Sequence, residues 1–465
     1  MKKFKKSNYI ETLNRRHFLR NCSALALGSS CALGTLGSIQ LAHAQTAPAN
    51  DYKALVCIFL FGGNDAFNML IPRSTSAYTA YANARQGLAK SSGSLIPISA
   101  SRQSGADYGL HPALTDVNDL YLANKLSFVG NVGALVEPVS KIAYQAKTVA
   151  LPPQLFSHND QQNFIQSLQS TTRRNGWAGR AADILSDMNT NQRLSMNISL
   201  SGSNLWQSGA ATIPYAIDPS GLKNFEQLDR SSSDERMLAR IQAYENILQQ
   251  GHNHTFANAY AESYTKAWDL TDEVGAALTA STSLSTNFPS DNRMASSLKM
   301  AAQMIAARNE LSVSRQTFFI GVGDFDTHGD QNRRHDILMS QLNDALKSFY
   351  DATVELGVAD KVTTFTASDF GRTLSSNGDG TDHGWGSHQI VMGDAVAGGD
   401  IYGTMPDLTL NSDDDMGEGR IIPTTSMDQY SATLAKWYGV PGSSFADIFP
   451  NLSNFDSTDL GFIKA

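Results

Sequence analysis

The sequence predicts an α/β fold, a doubly wound and mostly parallel sheet that carries a helical insertion. Three observations predict it. Apolar runs without alternation end in glycine-rich or acidic loops, amphipathic helical stretches separate those runs, and one later block turns to helix after helix. A run without alternation suits a strand buried on both faces, and strands that alternate with helices suit a parallel sheet.

The first 44 residues have the three parts of an export signal. Lys2, Lys3, Lys5 and Lys6 make a basic start, and Asn14-Arg15-Arg16-His17-Phe18-Leu19-Arg20 resembles the twin-arginine consensus. The stretch 23–41 is only mildly apolar, interrupted by Gly28, Gly34 and Gly37, and it closes on Ala42-His43-Ala44, a small-x-small cleavage site. A membrane helix needs about 20 strongly apolar residues, so no span is expected there. The expectation is a twin-arginine signal over 1–44 and a periplasmic or secreted product that begins at Gln45. The rest, 45–465, reads as a single domain.

Within it, Ala54-Leu55-Val56-Cys57-Ile58-Phe59-Leu60-Phe61 is the first buried strand, ending at Gly62-Gly63. Further strands are expected over 126–129, 317–322 and 362–367, with another at Ile390-Val391-Met392. Helices are expected over 112–123, with Leu114, Val117, Leu120 and Tyr121 on one face, and over 336–355, with Ile337, Leu338, Leu342, Leu346 and Phe349. The block at about 231–313 is the helical insertion, covering one edge or the mouth of the site. Segments 91–106 and 279–292, rich in Ser, Thr, Asn and Gly, read as surface loops.

Composition narrows the function. Removing 1–44 takes away seven basic and one acidic side chain, leaving 29 Lys+Arg against 43 Asp+Glu, a formal charge near −14. So acidic a surface excludes nucleic acid and anionic membranes as expected partners. Of three cysteines only Cys57 follows the signal, so neither an intrachain disulfide nor a thiolate metal cluster is expected. Nothing after Gln45 is long and apolar enough to span a membrane. The sequence assigns no oligomeric state.

Open α/β sheets bind ligands where strands give way to loops. Asp65 stands in such a loop, in Gly62-Gly63-Asn64-Asp65. Asp324, Asp326 and His328 follow the strand ending at Val322, Asp369 follows the one ending near Ala367, and His383 and His388 come soon after. Carboxylates and imidazoles at one sheet edge suit a divalent cation, zinc, manganese or calcium. Each residue also has a structural reading: Asp65 as a turn brace, and His383 and His388 as satisfied loop histidines. Ser157, in Leu155-Phe156-Ser157-His158-Asn159-Asp160, is either a metal-activated nucleophile at a helix start or a plain N-cap. Arg372 either grips an anionic substrate group or pairs with a buried carboxylate, and Arg180 reads as structural.

Taken together, Gly62-Gly63-Asn64-Asp65-x-x-Asn68, Ser157-His158, Gly176-Trp177-x-Gly179-Arg180, Asp326-Thr327-His328, Ser368-Asp369-Phe370-Gly371-Arg372-Thr373, Asp382-His383-Gly384 and Tyr430-x-x-x-Leu434-x-x-Trp437-Tyr438-Gly439 resemble the exported bacterial family known as domain of unknown function 1501. That family is similar to the alkaline phosphatase and sulfatase superfamily. The resemblance implies an alkaline-phosphatase-like fold, with metal ligands at strand ends. It implies Asp65 as an early ligand, Ser157 in the nucleophile's place, Asp326 with His328 as a middle pair, Asp369 next, and His383 or His388 last. Phe370 stands where a metal-binding His is expected, which implies a one-metal or altered site. No Cys/Ser-x-Pro-x-Arg signature is present, which excludes a formylglycine sulfatase.

Two functions follow as expectations. One is an exported metal-dependent hydrolase of phosphate or sulfate esters acting on a small anionic substrate. The other is a non-catalytic protein that keeps the fold to bind an anion or a partner. A redox enzyme has only the export route behind it, since the Gly62-Gly63 turn makes no dinucleotide fingerprint.

Overall fold

The structure is a computed structural model that describes residues 51–170, 175–222, 228–230, 232–251 and 254–464. The expected export signal lies outside the described residues. The first apolar run forms β1 (Lys53–Leu60), which sits inside a nine-stranded sheet. It pairs in parallel with β8 (Arg315–Val322) on one side and β9 (Val362–Ser368) on the other. Across the sheet the order is β11 (Ile401–Tyr402), β5 (Leu126–Gly133), β10 (Ser387–Met392), β9, β1, β8, β6 (Asn197–Ser199), β7 (Tyr215–Ala216), with β12 (Thr425–Ser426) beside β5. Ladders are parallel except at β10, which runs against both β9 and β5.

Successive side chains of β1 enter two different cores, as the absence of alternation demands. Ala54, Val56, Ile58 and Leu60 face one core, which takes in residues of α2 (Thr115–Leu122), α8 (Arg293–Ala306) and α9 (Gln331–Glu355). Leu55, Cys57 and Phe59 face the other, shared with α4 (His158–Ser167), α5 (Trp177–Leu185) and α10 (Met427–Tyr438). Each large apolar side chain buried this way contributes about 1.5–3 kcal/mol. The remaining helices are α1 (Thr75–Arg85), α3 (Lys141–Ala146), α6 (Glu235–Gln249), α7 (Thr255–Ala280) and α11 (Phe445–Ile448). Of these α6 buries only Ile241, and ring contacts of Tyr244 with Tyr264 and Trp268 hold it to α7.

Several boundaries and one loop differ from expectation; β5, for one, runs on to Gly133, past the expected end at 129. Helix α9 begins at Gln331, before the expected 336, because its first turn buries Gln331 and His335, polar residues that a search for apolar periodicity passes over. Strand β10 begins at Ser387, so His388 lies on a strand and not in a loop. The expected loop over 91–106 contains β3 (Ile96–Ala100), which joins β2 (Leu70–Pro72) and β4 (Ala106–Leu110) in a second sheet of order β2-β4-β3. Its buried Ile98 and Ala100 alternate with exposed Pro97 and Ser99, too short a pattern to stand out in serine-rich sequence. Among the described residues, no helix is long and apolar enough to cross a membrane.

Candidate metal centre

The carboxyl ends of β8, β1 and β9 are neighbours, and the loops that leave them meet. Asp326 and His328 come from the loop after β8, and Asp369 is the first residue after β9. His383 lies before β10, held beside Arg372 by an isolated antiparallel bridge. The close approach of these loops depends on Gly62 and Gly63, with φ of 113° and 88°. A Cβ on Gly62 would stand 2.4 Å from the Asp326 backbone nitrogen, and one on Gly63 would stand 2.7 Å from the Phe370 ring.

At the meeting point three imidazoles surround one carboxylate. His158 Nε2 is 3.5 Å from Asp326 Oδ2, while His328 Nε2 and His383 Nε2 are 3.0 and 3.4 Å from Asp326 Oδ1. Each ring is fixed from behind through Nδ1. His158 Nδ1 meets Asp369 Oδ2 at 2.7 Å, His328 Nδ1 meets Asp382 Oδ1 at 3.0 Å, and His383 Nδ1 meets the Phe156 carbonyl at 2.7 Å. Carboxylates and carbonyls only accept, so every Nδ1 is the donor and every neutral ring turns a bare Nε2 toward Asp326. His328 Nε2 and His383 Nε2 are then 3.0 Å apart, lone pair against lone pair. A shared proton or a cation relieves that repulsion. Anchored Nδ1 atoms behind converging Nε2 atoms are the arrangement that metal-ligating histidines adopt. Ligand atoms of His158, Asp326 and His383 all lie within 4.8 Å of one another.

The charges suit the same end. Burial works against ionisation of Asp326, but the hydrogen bond and charge of Arg372 outweigh it and hold the carboxyl below its ordinary range. Burial lowers the His383 pKa, which keeps that ring neutral and its Nε2 lone pair available. The hydrogen bond to Asp369 raises that of His158. Phe370 stacks against both His158 and His383, with centroids 4.8 and 4.7 Å away, and fills one flank of the cluster.

Of the residues expected to hold metal, the structure brings Asp326, His328 and His383 together. Asp369 reaches the cluster only through His158, with Gln162 Nε2 on the same oxygen at 2.8 Å. Asp65 stands apart, fully buried, ion-paired with Arg85 and hydrogen-bonded by Gln331 Nε2. His388 stands apart too, its Nδ1 accepting from the Asn131 amide at 3.0 Å and its pKa lowered by burial to about 3. Arg372 is fully buried and donates to Asp326, to the Gly62 carbonyl and to Thr381, so its fork is spent inside the protein. Ser157 takes the N-cap position of α4 without capping it; its Oγ lies 2.7 Å from Asp160 Oδ2 and donates there. Arg180 binds the carbonyls of Ser167 and Ile448 at 2.6 Å each, a structural brace.

Sequence reasoning passed over His158 and Asp382. The signal for His158 was its place beside Ser157 in the same helix-start motif, where the hydroxyl drew the attention. Asp382 entered only as part of the Asp382-His383-Gly384 motif, and in the structure it serves His328. Also unseen was a buried chain of contacts from Arg85 through Asp65, Gln331 and Thr381 to Arg372 and Asp326. Gln331 Oε1 accepts from Thr381 Oγ1 at 2.6 Å and from Thr327 Oγ1 at 3.1 Å.

The family described as "Protein of unknown function (DUF1501)" matches residues 52–418. No curated protein matches the chain. Among solved structures, the chain is similar to the PsFucS1 sulfatase from Pseudoalteromonas sp., with 11% identity and a TM-score of 0.34 over 92% of this chain and 76% of that one. It is similar to Ps i-CgsB in complex with k-i-k-neocarrahexaose, with 10% identity and a TM-score of 0.35 over 87% and 77%. It is also similar to the C-terminal periplasmic domain of EcEptC from Escherichia coli in complex with Zn, with 8% identity and a TM-score of 0.28 over 75% and 74%.

Proposed function

The chain belongs to the DUF1501 family, and from that premise we propose that it is a metal-dependent hydrolase of phosphate or sulfate esters, exported by the twin-arginine route. The observation that carries the proposal is the convergence of three Nδ1-anchored imidazoles on Asp326. The donor set, nitrogen and carboxylate without sulfur, fits zinc or manganese better than calcium, which takes oxygen ligands. His158, Asp326 and His383 would hold the ion. A divalent cation there supplies Lewis acidity to an ester oxygen and lowers the pKa of a water.

The chain's own groups do the rest. Arg372 keeps Asp326 ionised, and Asp369 fixes the His158 ring. His328 is more exposed than the others and backed by Asp382, so its Nε2 is the atom placed to accept a proton from an attacking water. That water's oxygen bonds to phosphorus or sulfur as the bond to the ester oxygen breaks, and the ester oxygen leaves as the alcohol with the proton that His328 accepted. Ser157 has no part in this step, because its hydroxyl already serves Asp160.

The test is turnover of p-nitrophenyl phosphate and p-nitrophenyl sulfate by natively exported protein and its variants. Asp326→Ala and His158→Ala are expected to abolish hydrolysis, and Ser157→Ala to retain it. Turnover that survives Asp326→Ala contradicts the proposal. A second reading, anion binding without turnover, is favoured by the Phe370 ring packed on both His158 and His383, where it leaves that flank no polar group. It predicts a metal-loaded protein that binds phosphate or sulfate and hydrolyses neither ester.

A further inference from the structure

A cavity of about 1200 Å³ opens at the carboxyl ends of β6, β7 and β8. Residues 200–202 after β6, 216–220 from β7 onward and 321–324 at the end of β8 form one side of it, and α8 forms much of the other. This is the same sheet edge that carries the histidine cluster, where α/β sheets take their ligands. Asp324 lines the cavity, and Asp326, two residues on, faces the imidazoles. Two residues span at most about 7 Å, so cavity and cluster share one short loop.

The lining is neither apolar nor of one charge. Gln303 and Gln341 supply amides, and Ser220 and Ser296 supply hydroxyl oxygens that can accept, their protons being given to Asp218 and to the Asn292 carbonyl; Asp218, Asp291 and Asp324 stand among them with Arg293 and Lys299. The side chains of Gln303, Gln341 and Lys299 make no hydrogen bond or ion pair within the described residues, so their donors and acceptors remain for a ligand. Beneath them Ile217 and Met300 are buried and apolar. Groups that both donate and accept, set over an apolar floor, match a ligand whose hydroxyls do the same and whose C–H faces are apolar. An anion-selective pocket would gather Arg and Lys without acids, whereas here Arg293 and Lys299 share the lining with three carboxylates. The volume of about 1200 Å³ lies above the roughly 300–1,000 Å³ of pockets for drug-sized ligands and leaves room for more than one sugar ring.

We propose that this cavity binds a saccharide chain and holds an ester-bearing sugar toward the His158–Asp326–His383 cluster. The proposal rests on the hydrolase reading above and adds to it the class of alcohol released. The test begins with the mature protein on an array of neutral, sulfated and phosphorylated oligosaccharides, followed by calorimetric titration of the strongest hit. Ser220→Trp, which narrows the exposed rim, and a Gln303→Ala, Gln341→Ala pair, which removes unpaired donors, are each expected to weaken binding about tenfold or more. Both variants are checked by thermal melting, and the alanine pair carries the test if the tryptophan variant does not fold. Binding of a neutral saccharide is expected to survive His158→Ala with His383→Ala. If the folded wild-type chain retains no saccharide, or if folded cavity variants bind as wild type does, the proposal is overturned. Saccharide binding by a protein that holds no metal and turns over no ester overturns the hydrolase reading while leaving the cavity's ligand assigned.

Discussion

Asp369 and Asp65 are both fully buried acids at strand ends, yet they have different duties. Asp369 fixes the His158 ring through Nδ1. Removing such an outer partner costs about 10–100-fold in metal affinity. Asp369→Asn is therefore expected to lose metal to a competing chelator at a concentration that the wild type withstands, with little change in fold. Asp65 instead neutralises Arg85, both side chains being without exposure. Breaking a buried pair from one side costs about 3–5 kcal/mol, because the remaining charge is stranded. Asp65→Asn is expected to lower stability to denaturant by that order, with metal stoichiometry retained in the folded fraction. Loss of metal without loss of stability would make Asp65 a ligand after all. From sequence the two acids looked alike, since both end strands and both fit an ordered series of ligands. The difference lies in Arg85 and His158, which come from helices 20 and 211 residues from their carboxylates and which no local pattern attaches to either one.

Among the elements, α10 shows how a helix start can carry a buried charge. Its N-terminus has a complete capping box between Ser426 and Gln429. Asp428 follows in the first turn, fully buried, with the Asn451 amide at 3.2 Å and the Asn451 side chain at 3.3 Å. Burial pushes its pKa up to about 7, although the hydrogen bonds from Asn451 oppose the rise. At this site the folded chain thus binds a proton that the unfolded chain has already lost, so the stability Asp428 contributes is lost as pH rises from about 4 to about 7. The buried His388 acts in the opposite sense across the same window, so the melting temperature is expected to rise more, or fall less, with pH in Asp428→Asn than in the wild type. An identical slope in both would remove Asp428 from the account.

Helix α5 explains another stretch of sequence. The run Gly176-Trp177-x-Gly179-Arg180 is part of the resemblance to the family, and a Cβ on Gly176 or Gly179 would lie about 2 Å from the backbone of 205–208. These glycines let α5 lie on that segment, and Trp177 is buried in the core beside it. The apolar strands were legible because burial on both faces leaves a simple mark, as in β1 and β9. Strand β3 was not, since its alternation of buried Ile98 and Ala100 with exposed Pro97 and Ser99 is too short to stand out, and neither was the first turn of α9, which buries the polar Gln331 and His335.

For the whole molecule, the sheet decides which loops can meet. Strands β8, β1 and β9 stand side by side although β1 ends at Leu60 and β8 begins only at Arg315. Their order could not be read from the sequence, but the placement of acids and imidazoles at strand ends could, and it led to Asp326, His328 and His383. A metal that binds only the folded state adds stability, about 2.7 kcal/mol at a hundred times its dissociation constant. Chelator treatment is therefore expected to lower the melting temperature of the wild type and to leave that of an Asp326→Ala variant unmoved. The most direct measurement is the metal content, by elemental mass spectrometry, of natively exported protein beside a His158→Ala, His383→Ala variant. About one zinc or manganese per wild-type chain, absent from an equally folded variant, is the predicted result. No metal in either, or equal metal in both, would contradict the site.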